Sequence, residues 1–445
     1  MKTILTWPCL LLAGLFFAPS CGGEAGAGSS GAANATTATS ALKEGETKTG
    51  EMKKVENGVA APRAPLADWQ RNLLQIAYDA ASGFPLVPHK KNRGRAQEVV
   101  VAACFELDQP ELAKRFGDGI VDWRRGVALA DYAWYQAKHG VRTGLEPVLA
   151  AAAKVVDEER NDPNAQQWRS DLVALKIARA WAALGDAERA AKASRGIDPA
   201  SANAVDEQWA SAVAERADLI PADQAGAELA KLDATFADMS LGQQASAGAL
   251  LVRLHERCFA DAALRAELEK RPVVLWHKLS PQIRLDLVTR LLRTNLKHGE
   301  KARAAELLAV VREGVAAHQW RAEDELPWRA RLCELAFESG DADRAKADAV
   351  LALARYHELR DGIVNIYRAK TLRPLMLAQF RLGDRAGAAD LLALVLEEGM
   401  ENPNSRPRCD DLVDTCVALA VAGCEPSAQA LARIREIARG LGEPW

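Results

Sequence analysis

The chain has no excess of charge of either sign. Among its 445 residues, 57 Lys and Arg stand against 60 Asp and Glu, which gives a formal net charge of −3. Proteins that bind nucleic acid usually carry a strong basic excess, so this balance disfavours that class of partner. Runs of β-branched residues are also scarce, whereas Ala, Leu, Arg and Glu are abundant. This bias favours helices over strands.

Recognisable catalytic and metal-binding motifs are missing as well. The sequence contains no HExxH, no G-x-S-x-G and no P-loop, and its seven His residues are scattered. His255 has no second His at helical spacing, which predicts a surface position. Cys409, Cys416 and Cys424 are spaced by seven and eight residues without a CxxC pair, which disfavours a zinc site. We therefore expect no metal, no cofactor and no enzymatic activity.

What the chain does contain is a repeated turn. A Gly is followed by an acidic residue and, five residues after the Gly, by Ala. The four copies are Gly185–Ala190, Gly299–Ala304, Gly340–Ala345 and Gly383–Ala388. Gly closes a helix in the left-handed conformation without a Cβ penalty, and the acidic residue suits the positive end of the next helix. Because the Ala is small, the second helix can pack close to the first, so each copy predicts a helical hairpin.

Two copies are similar well beyond the turn. Residues 299–314 and 383–398 are identical at nine of sixteen positions. In the second copy Leu391, Leu392 and Val395 form one apolar stripe at helical spacing, as their counterparts do in the first. A helix with such a stripe needs a neighbour to bury it, so this internal repeat predicts a stack of hairpins.

Turns at intervals of 32 to 45 residues divide residues 65–445 into about nine hairpins, preceded by a helix at about 66–81. The predicted turns lie near Asp108, Gly140, Gly185, Pro221, Ala260, Gly299, Gly340, Gly383 and Gly423. The predicted fold class is all-α, an α-solenoid in which each unit contacts only its neighbours. The alternative, a closed toroid, would require the last hairpins to pack on the first.

The four turns resemble those of tetratricopeptide repeats, in which Gly, an acidic or amide residue and a later Ala mark the hairpin. That family has units of about 34 residues, shorter than most of the spacings here. Its aromatic residue four positions before the Gly occurs once, as Trp181. The resemblance therefore implies a superhelix of a degenerate kind, and the peptide-contacting residues of the family cannot be transferred to this chain.

The N-terminal residues have the pattern of an export signal. Residues 1–20 contain a charged Lys2 and an apolar stretch too short to span a bilayer. The sequence around Cys21 resembles a bacterial lipoprotein signal, which implies that Cys21 is lipidated. Residues 21–64 are rich in small and polar residues and predict a disordered tether behind that cysteine. We expect a lipid-anchored protein of the bacterial cell envelope, periplasmic or on the cell surface, with cleaved secretion as the alternative.

Two sets of residues are candidates for contact with a partner. Four cations, Lys90, Lys91, Arg93 and Arg95, lie before a helix that is expected to start at about Ala96. They form either a solvated basic loop or a contact with an anionic surface, which would be lipid headgroups, acidic polysaccharide or an acidic protein.

The second set consists of tryptophans that open predicted helices. Trp123, Trp168 and Trp328 are each followed by Arg. They are either wedges buried between adjacent hairpins or a row of aromatic rings that lines a groove for a peptide or a glycan.

The main functional hypothesis is a membrane-anchored helical-repeat scaffold that binds other proteins through its concave face. An envelope enzyme that acts on glycan, built on a closed toroid, is the alternative, and a purely structural role is a third. Glycoside hydrolysis requires two carboxylates about 5–10 Å apart in a cleft. Acidic runs such as Asp410-Asp411 are expected to be solvated helix ends or loops instead.

Replacing Cys21 by Ala should abolish lipidation and release the protein from membranes. The reason is that the signal pattern predicts the lipid on Cys21 as the membrane anchor, while the predicted tether has few apolar residues with which to bind lipid. Membrane fractionation followed by a salt wash tests this. A Cys21→Ala variant that stays in the washed membrane fraction would contradict the lipoprotein hypothesis.

Overall fold

In a computed structural model of the protein, the structure describes residues 65–195, 197, 220, 222–236, 239–276 and 278–445. Every described residue belongs to one compact unit, Val59–Trp445. The predicted signal, the tether with Cys21 and the turn at Pro221 lie outside the described residues. None of the described helices combines the length and the apolar character that crossing a bilayer requires.

Eighteen α-helices and no strand are found in the described part of the chain, so the predicted all-α fold class is confirmed. The helices of the N-terminal half are α1 (Asp68–Ser82), α2 (Leu86–Glu106), α3 (Pro110–Asp118), α4 (Arg124–Lys138), α5 (Glu146–Asn161), α6 (Gln167–Leu184), α7 (Ala187–Ala193) and α8 (Ala225–Thr235). Those of the C-terminal half are α9 (Leu241–Arg257), α10 (Ala262–Lys270), α11 (Pro281–Lys297), α12 (Lys301–Ala317), α13 (Ala322–Glu338), α14 (Ala342–Leu359), α15 (Asn365–Arg381), α16 (Arg385–Glu398), α17 (Ser405–Ala422) and α18 (Ala428–Arg439).

The Gly-acid turns form as the sequence predicts. Gly185 ends α6 with a φ of 84°, and the amide of Asp186 donates to the carbonyl of Trp181 over 3.0 Å. The Asp186 carboxylate then accepts a hydrogen bond of 2.9 Å from the amide of Arg189 and caps α7. The turns at Gly340 and Gly383 repeat this arrangement. One turn thus satisfies donors and acceptors at the ends of both helices, which explains its repetition.

Eight of the nine predicted turns join two consecutive helices of the structure, and the ninth is the one at Pro221. The hairpins are α2/α3, α4/α5, α6/α7, α9/α10, α11/α12, α13/α14, α15/α16 and α17/α18, with α1 ahead of them. The first helices of successive hairpins also pack on each other, as α4 does on α6 and α13 does on α15. The stripe residues Leu391, Leu392 and Val395 are buried, as expected.

The two ends of this row of hairpins pack against each other. Helix α1 lies along α17 and also contacts α18, while α2 contacts α17. The side-chain amide of Gln70 donates to the carbonyl of Ala420 over 2.8 Å, across 350 residues of sequence. Phe84 is buried with its ring 4.9 Å from that of Trp445. The last hairpin therefore packs on the first helices, as a closed arrangement requires. We call this contact of α1 and α2 with α17 and α18 the seam. The expectation that units contact only sequence neighbours is wrong there.

The surface position predicted for His255 is wrong. His255 is fully buried in α9, where Nε2 lies 2.9 Å from Oε1 of Glu269. Asn295 and Arg303 donate to the same carboxylate over 2.7 and 2.6 Å. Burial opposes ionisation of Glu269, but these three hydrogen bonds lower its pKa to about 2. The network ties α9, α10, α11 and α12 together through one carboxylate.

Candidate functional site

The basic segment belongs to helix α2, so the predicted loop before Ala96 is wrong. Helix α2 spans Leu86–Glu106, with non-helical backbone at Val87 and His89. Lys90, Lys91 and Arg95 are exposed, whereas Arg93 is half-buried. Arg93 Nη1 donates to the carbonyl of Phe84 over 3.4 Å.

Gly94, which looked like a loop residue, is the reason that α2 can lie where it does. A Cβ at this position would stand 2.4 Å from Oδ2 of Asp122, so only glycine permits this approach. Asp122 in turn binds Arg124 over 2.8 Å, and Arg124 binds Glu98 of α2 over 3.0 Å. The Arg124 side chain is buried, and these two carboxylates neutralise it, as a buried guanidinium requires.

This ion-pair network brings the basic segment close to two of the three candidate tryptophans. The guanidinium of Arg124 lies 4.4 Å from the ring centroid of Trp123. Trp123 is buried at the start of α4 and meets the half-buried Trp168 of α6 edge-on, with centroids 5.2 Å apart. Trp328 is buried in a separate cluster, where its Nε1 donates to Gln282 over 3.2 Å. These contacts favour the wedge interpretation, because little indole surface remains for a ligand.

Across the seam, a cluster of carboxylates on α17 lies near the Arg95 end of the basic segment. The acidic members are Asp410, Asp411 and Asp414, and the charge of Arg95 acts on Asp410. Arg373 of α15 binds two of them, because its Nη2 lies 3.1 Å from Asp411 and its Nη1 lies 3.1 Å from Asp414. Helices α2 and α15 therefore contribute positive charges, and α17 negative charges, to the region around the α17 carboxylates.

These carboxylates are harder to ionise than ordinary ones. Burial, with added repulsion from Asp414, raises the pKa of Asp410 to about 7, although Arg406 and Arg95 oppose the shift. Burial also raises the pKa of Asp411 to about 7, against the attraction of Arg373. Asp410 itself is exposed to solvent, whereas the Asp411 side chain is only 13% exposed, so burial acts more directly on Asp411. Nearby, burial lowers the pKa of Lys370.

Such an arrangement can exchange a proton near neutral pH, which is what general acid and base catalysis requires. Asp410 and Asp411 were predicted to be solvated helix ends or loops. Both lie within α17, and Asp410 is exposed as expected, but Asp411 is half-buried. The available signal was the pattern within α17. Cys409, Leu412 and Cys416 are buried, so the acidic residues between them occupy the other face.

Metal and thiol chemistry find no geometric support in the part of the chain that the structure describes. No group of three or more His, Cys, Asp or Glu side chains there could hold a metal ion. The six described cysteines are buried as free thiols, and burial raises the pKa of the Cys104 and Cys416 thiols to about 12. A protonated, buried thiol is a poor nucleophile and a poor metal ligand.

Comparisons with known proteins do not assign this site. No protein-family model matches the chain, and no curated protein matches it either. The similarity of its turns to those of tetratricopeptide repeats stays a prediction.

The raised pKa values predict how stability depends on pH. The pKa of Asp410 is about 7 in the folded protein, against an ordinary value of 3.8. Between about pH 4 and about pH 7 the folded protein therefore binds more protons at this carboxyl than the unfolded chain does. The free energy of unfolding should then fall as pH rises from about 4 to about 7. An Asp410→Asn variant should lose part of this dependence and melt above the parent protein at pH 8, while the two converge at acidic pH.

Thermal melts across this pH range provide the measurement. Asp361→Asn, which removes a carboxylate with a 97% exposed side chain, controls for the loss of one negative charge. If Asp410→Asn and the parent protein show the same pH dependence, Asp410 does not titrate near neutrality.

Proposed function

We propose that this chain is an exported, lipid-anchored helical-repeat scaffold that binds another protein through helix α14. The observation that carries the proposal is that α14 has apolar residues on two sides. One side packs into the core through Ala345, Ala349, Ala352 and Tyr356. The other side is exposed and is described next.

The exposed side is a stripe formed by Ala347, Val350, Leu351 and Ala354. Val350 is 69% exposed and Leu351 is 57% exposed, and both alanines are exposed. The spacing i, i+3, i+4, i+7 places all four on one face of the helix, as in a helix that packs against another helix. We call this the α14 stripe.

A protein partner with its own apolar face would remove the α14 stripe from water. A helix with apolar residues on opposite sides is normally buried, and an exposed apolar patch on a folded protein often marks an interaction surface. The acidic residues Asp343 and Glu358 continue the same face beyond each end of the stripe. A polar border around an apolar centre is the usual composition of a protein interface, and amphipathic helices are common partners of such stripes.

Export and lipid anchoring are supported by sequence pattern. The signal-like residues 1–20, Cys21 and the predicted tether precede helix α1 in the sequence. An anchored body could then present α14 to partners held at the same membrane.

The test exchanges the two large side chains of the α14 stripe for charges of opposite sign. A Val350→Glu/Leu351→Lys variant should recover its partner at least about tenfold less well, since each buried aliphatic side chain contributes about 1.5–3 kcal/mol. Its melting temperature should stay nearly the same because both residues are exposed. The measurement is affinity capture from solubilised membranes with mass spectrometry, and light scattering on the purified protein shows whether the partner is a second copy.

A matched control makes the same exchange elsewhere. Val364→Glu/Leu241→Lys alters a Val and a Leu of similar exposure, 57% and 60%, at the starts of α15 and α9. If both variants recover the same partners as the parent protein, the α14 stripe is not the binding surface.

The seam favours a second candidate, an enzyme that acts on glycan. The ends of the hairpin row pack together, and Arg373 bridges two carboxylates of α17. Incubation with purified cell-wall glycan would decide this. Release of reducing ends by the parent protein, and its loss in Asp410→Asn and Asp414→Asn, would favour the enzyme. No release by the parent protein would leave the scaffold as the function.

A further inference from the structure

We propose that the start of α2 is a second membrane contact of this protein, at which a small apolar tip inserts among the headgroups of an anionic lipid bilayer. The tip consists of Leu86, Val87 and Pro88, with Lys90 and Lys91 directly behind it. The tip acts in addition to the lipid expected on Cys21. The proposal of this contact rests on the location at a membrane that is part of the proposed function.

The apolar part of the tip is unusually accessible for residues of its kind. Val87 is 86% exposed, the largest exposure of any large aliphatic side chain in the described part of the chain, and Leu86 is 46% exposed. Pro88 is exposed as well. Covering two adjacent aliphatic side chains with apolar material removes them from water and lowers the free energy.

The tip is held in place from both sides. Before it, Phe84 is fully buried against Trp445, with ring centroids 4.9 Å apart. After it, Arg93 donates to the Phe84 carbonyl over 3.4 Å, and Asn92 and His89 form a hydrogen bond of 3.2 Å. The exposure of Val87 is therefore built into a supported turn, so little ordering is needed when the tip binds.

The charges around the tip favour an anionic surface. Lys90 and Lys91 are exposed, whereas the charge of Arg95, further along α2, acts on Asp410 of α17. Behind this segment, Glu98 and Asp122 bind the buried Arg124, and Glu159, on which the charge of Lys90 acts, lies 3.9 Å from Arg169. An apolar tip followed by lysines is typical of protein segments that lie in the interface of anionic membranes.

The geometry of the N-terminal region allows this contact. Helix α1 has 15 residues and therefore separates the beginning of the body from the tip by about 22 Å. The predicted tether, residues 21–64, has enough residues to cover that distance. The tip can then meet the same membrane that holds Cys21, which would orient the body relative to the bilayer. The other exposed apolar residues, such as Val350 and Leu351, have no comparable cluster of lysines and suit a protein partner better.

The experiment uses the mature chain without its lipid, residues 22–445, and vesicles of phosphatidylcholine alone or with added phosphatidylglycerol. Sedimentation should show binding to the anionic vesicles that weakens as salt is raised, because the lysines are screened. Val87→Glu should weaken this binding at least about tenfold by removing the apolar contact. Lys90→Gln/Lys91→Gln should weaken it by about thirtyfold at low salt, from about 1 kcal/mol for each lysine.

Val364→Glu is the matched control, because it places the same charge at another exposed Val, and it should bind as the parent protein does. Circular dichroism melts of all variants check that folding is unchanged. Failure of the parent chain to bind anionic vesicles, or equal binding by the parent and Val87→Glu, would overturn the proposal. Capture of a protein partner through the α14 stripe is a separate measurement. The membrane contact of the tip and the protein contact of the stripe can therefore be disproved independently of each other.

Discussion

The packing of α1 against α17 is the contact on which the rest of the structure depends. In a row of hairpins each unit buries its apolar stripe on the next, so both ends are left with an uncovered face. Here each end covers the other. Leu73 and Leu74 of α1 are fully buried in one cluster that also contains Leu412 and Cys416 of α17. At about 25 cal/mol per Å² of apolar area, such burial stabilises both ends without a separate capping helix.

The same contact creates the part of the molecule with the most distinctive chemistry. Because α17 lies beside α2, the charge of Arg95 acts on Asp410, although the two residues are far apart in sequence. Because α15 lies beside α17, Arg373 reaches Asp411 and Asp414. The desolvation that raises the pKa of Asp410 and Asp411 comes from these neighbours rather than from local sequence. The α14 stripe and the tip of α2, in contrast, face outward and are the proposed contact surfaces.

Local features of the fold could be predicted from the sequence, because local physics determines them. Gly at positive φ and an Asp that caps the following helix depend only on a few neighbouring residues, and the turns at Gly185, Gly340 and Gly383 form as predicted. The errors concern long-range contacts. Gly94 looked like a loop residue, but its missing Cβ makes room for Asp122, which lies 28 positions further on. His255 lacked a local partner, and its actual partner, Glu269, comes from the next helix. Nothing in the local sequence of α17 indicates that α1 would cover it.

Hydrogen exchange after a single substitution in α1 tests the end-to-end packing most directly. Leu73→Ala removes a fully buried side chain and should cost about 2–5 kcal/mol where it packs. Leu229→Ala, an equally buried leucine of α8 in a different cluster, is the control. The account predicts that Leu73→Ala raises exchange in α17, at residues 405–422, as well as in α1 and α2, while Leu229→Ala leaves α17 protected. Faster exchange in α1 and α2 with unchanged protection in α17 would contradict it.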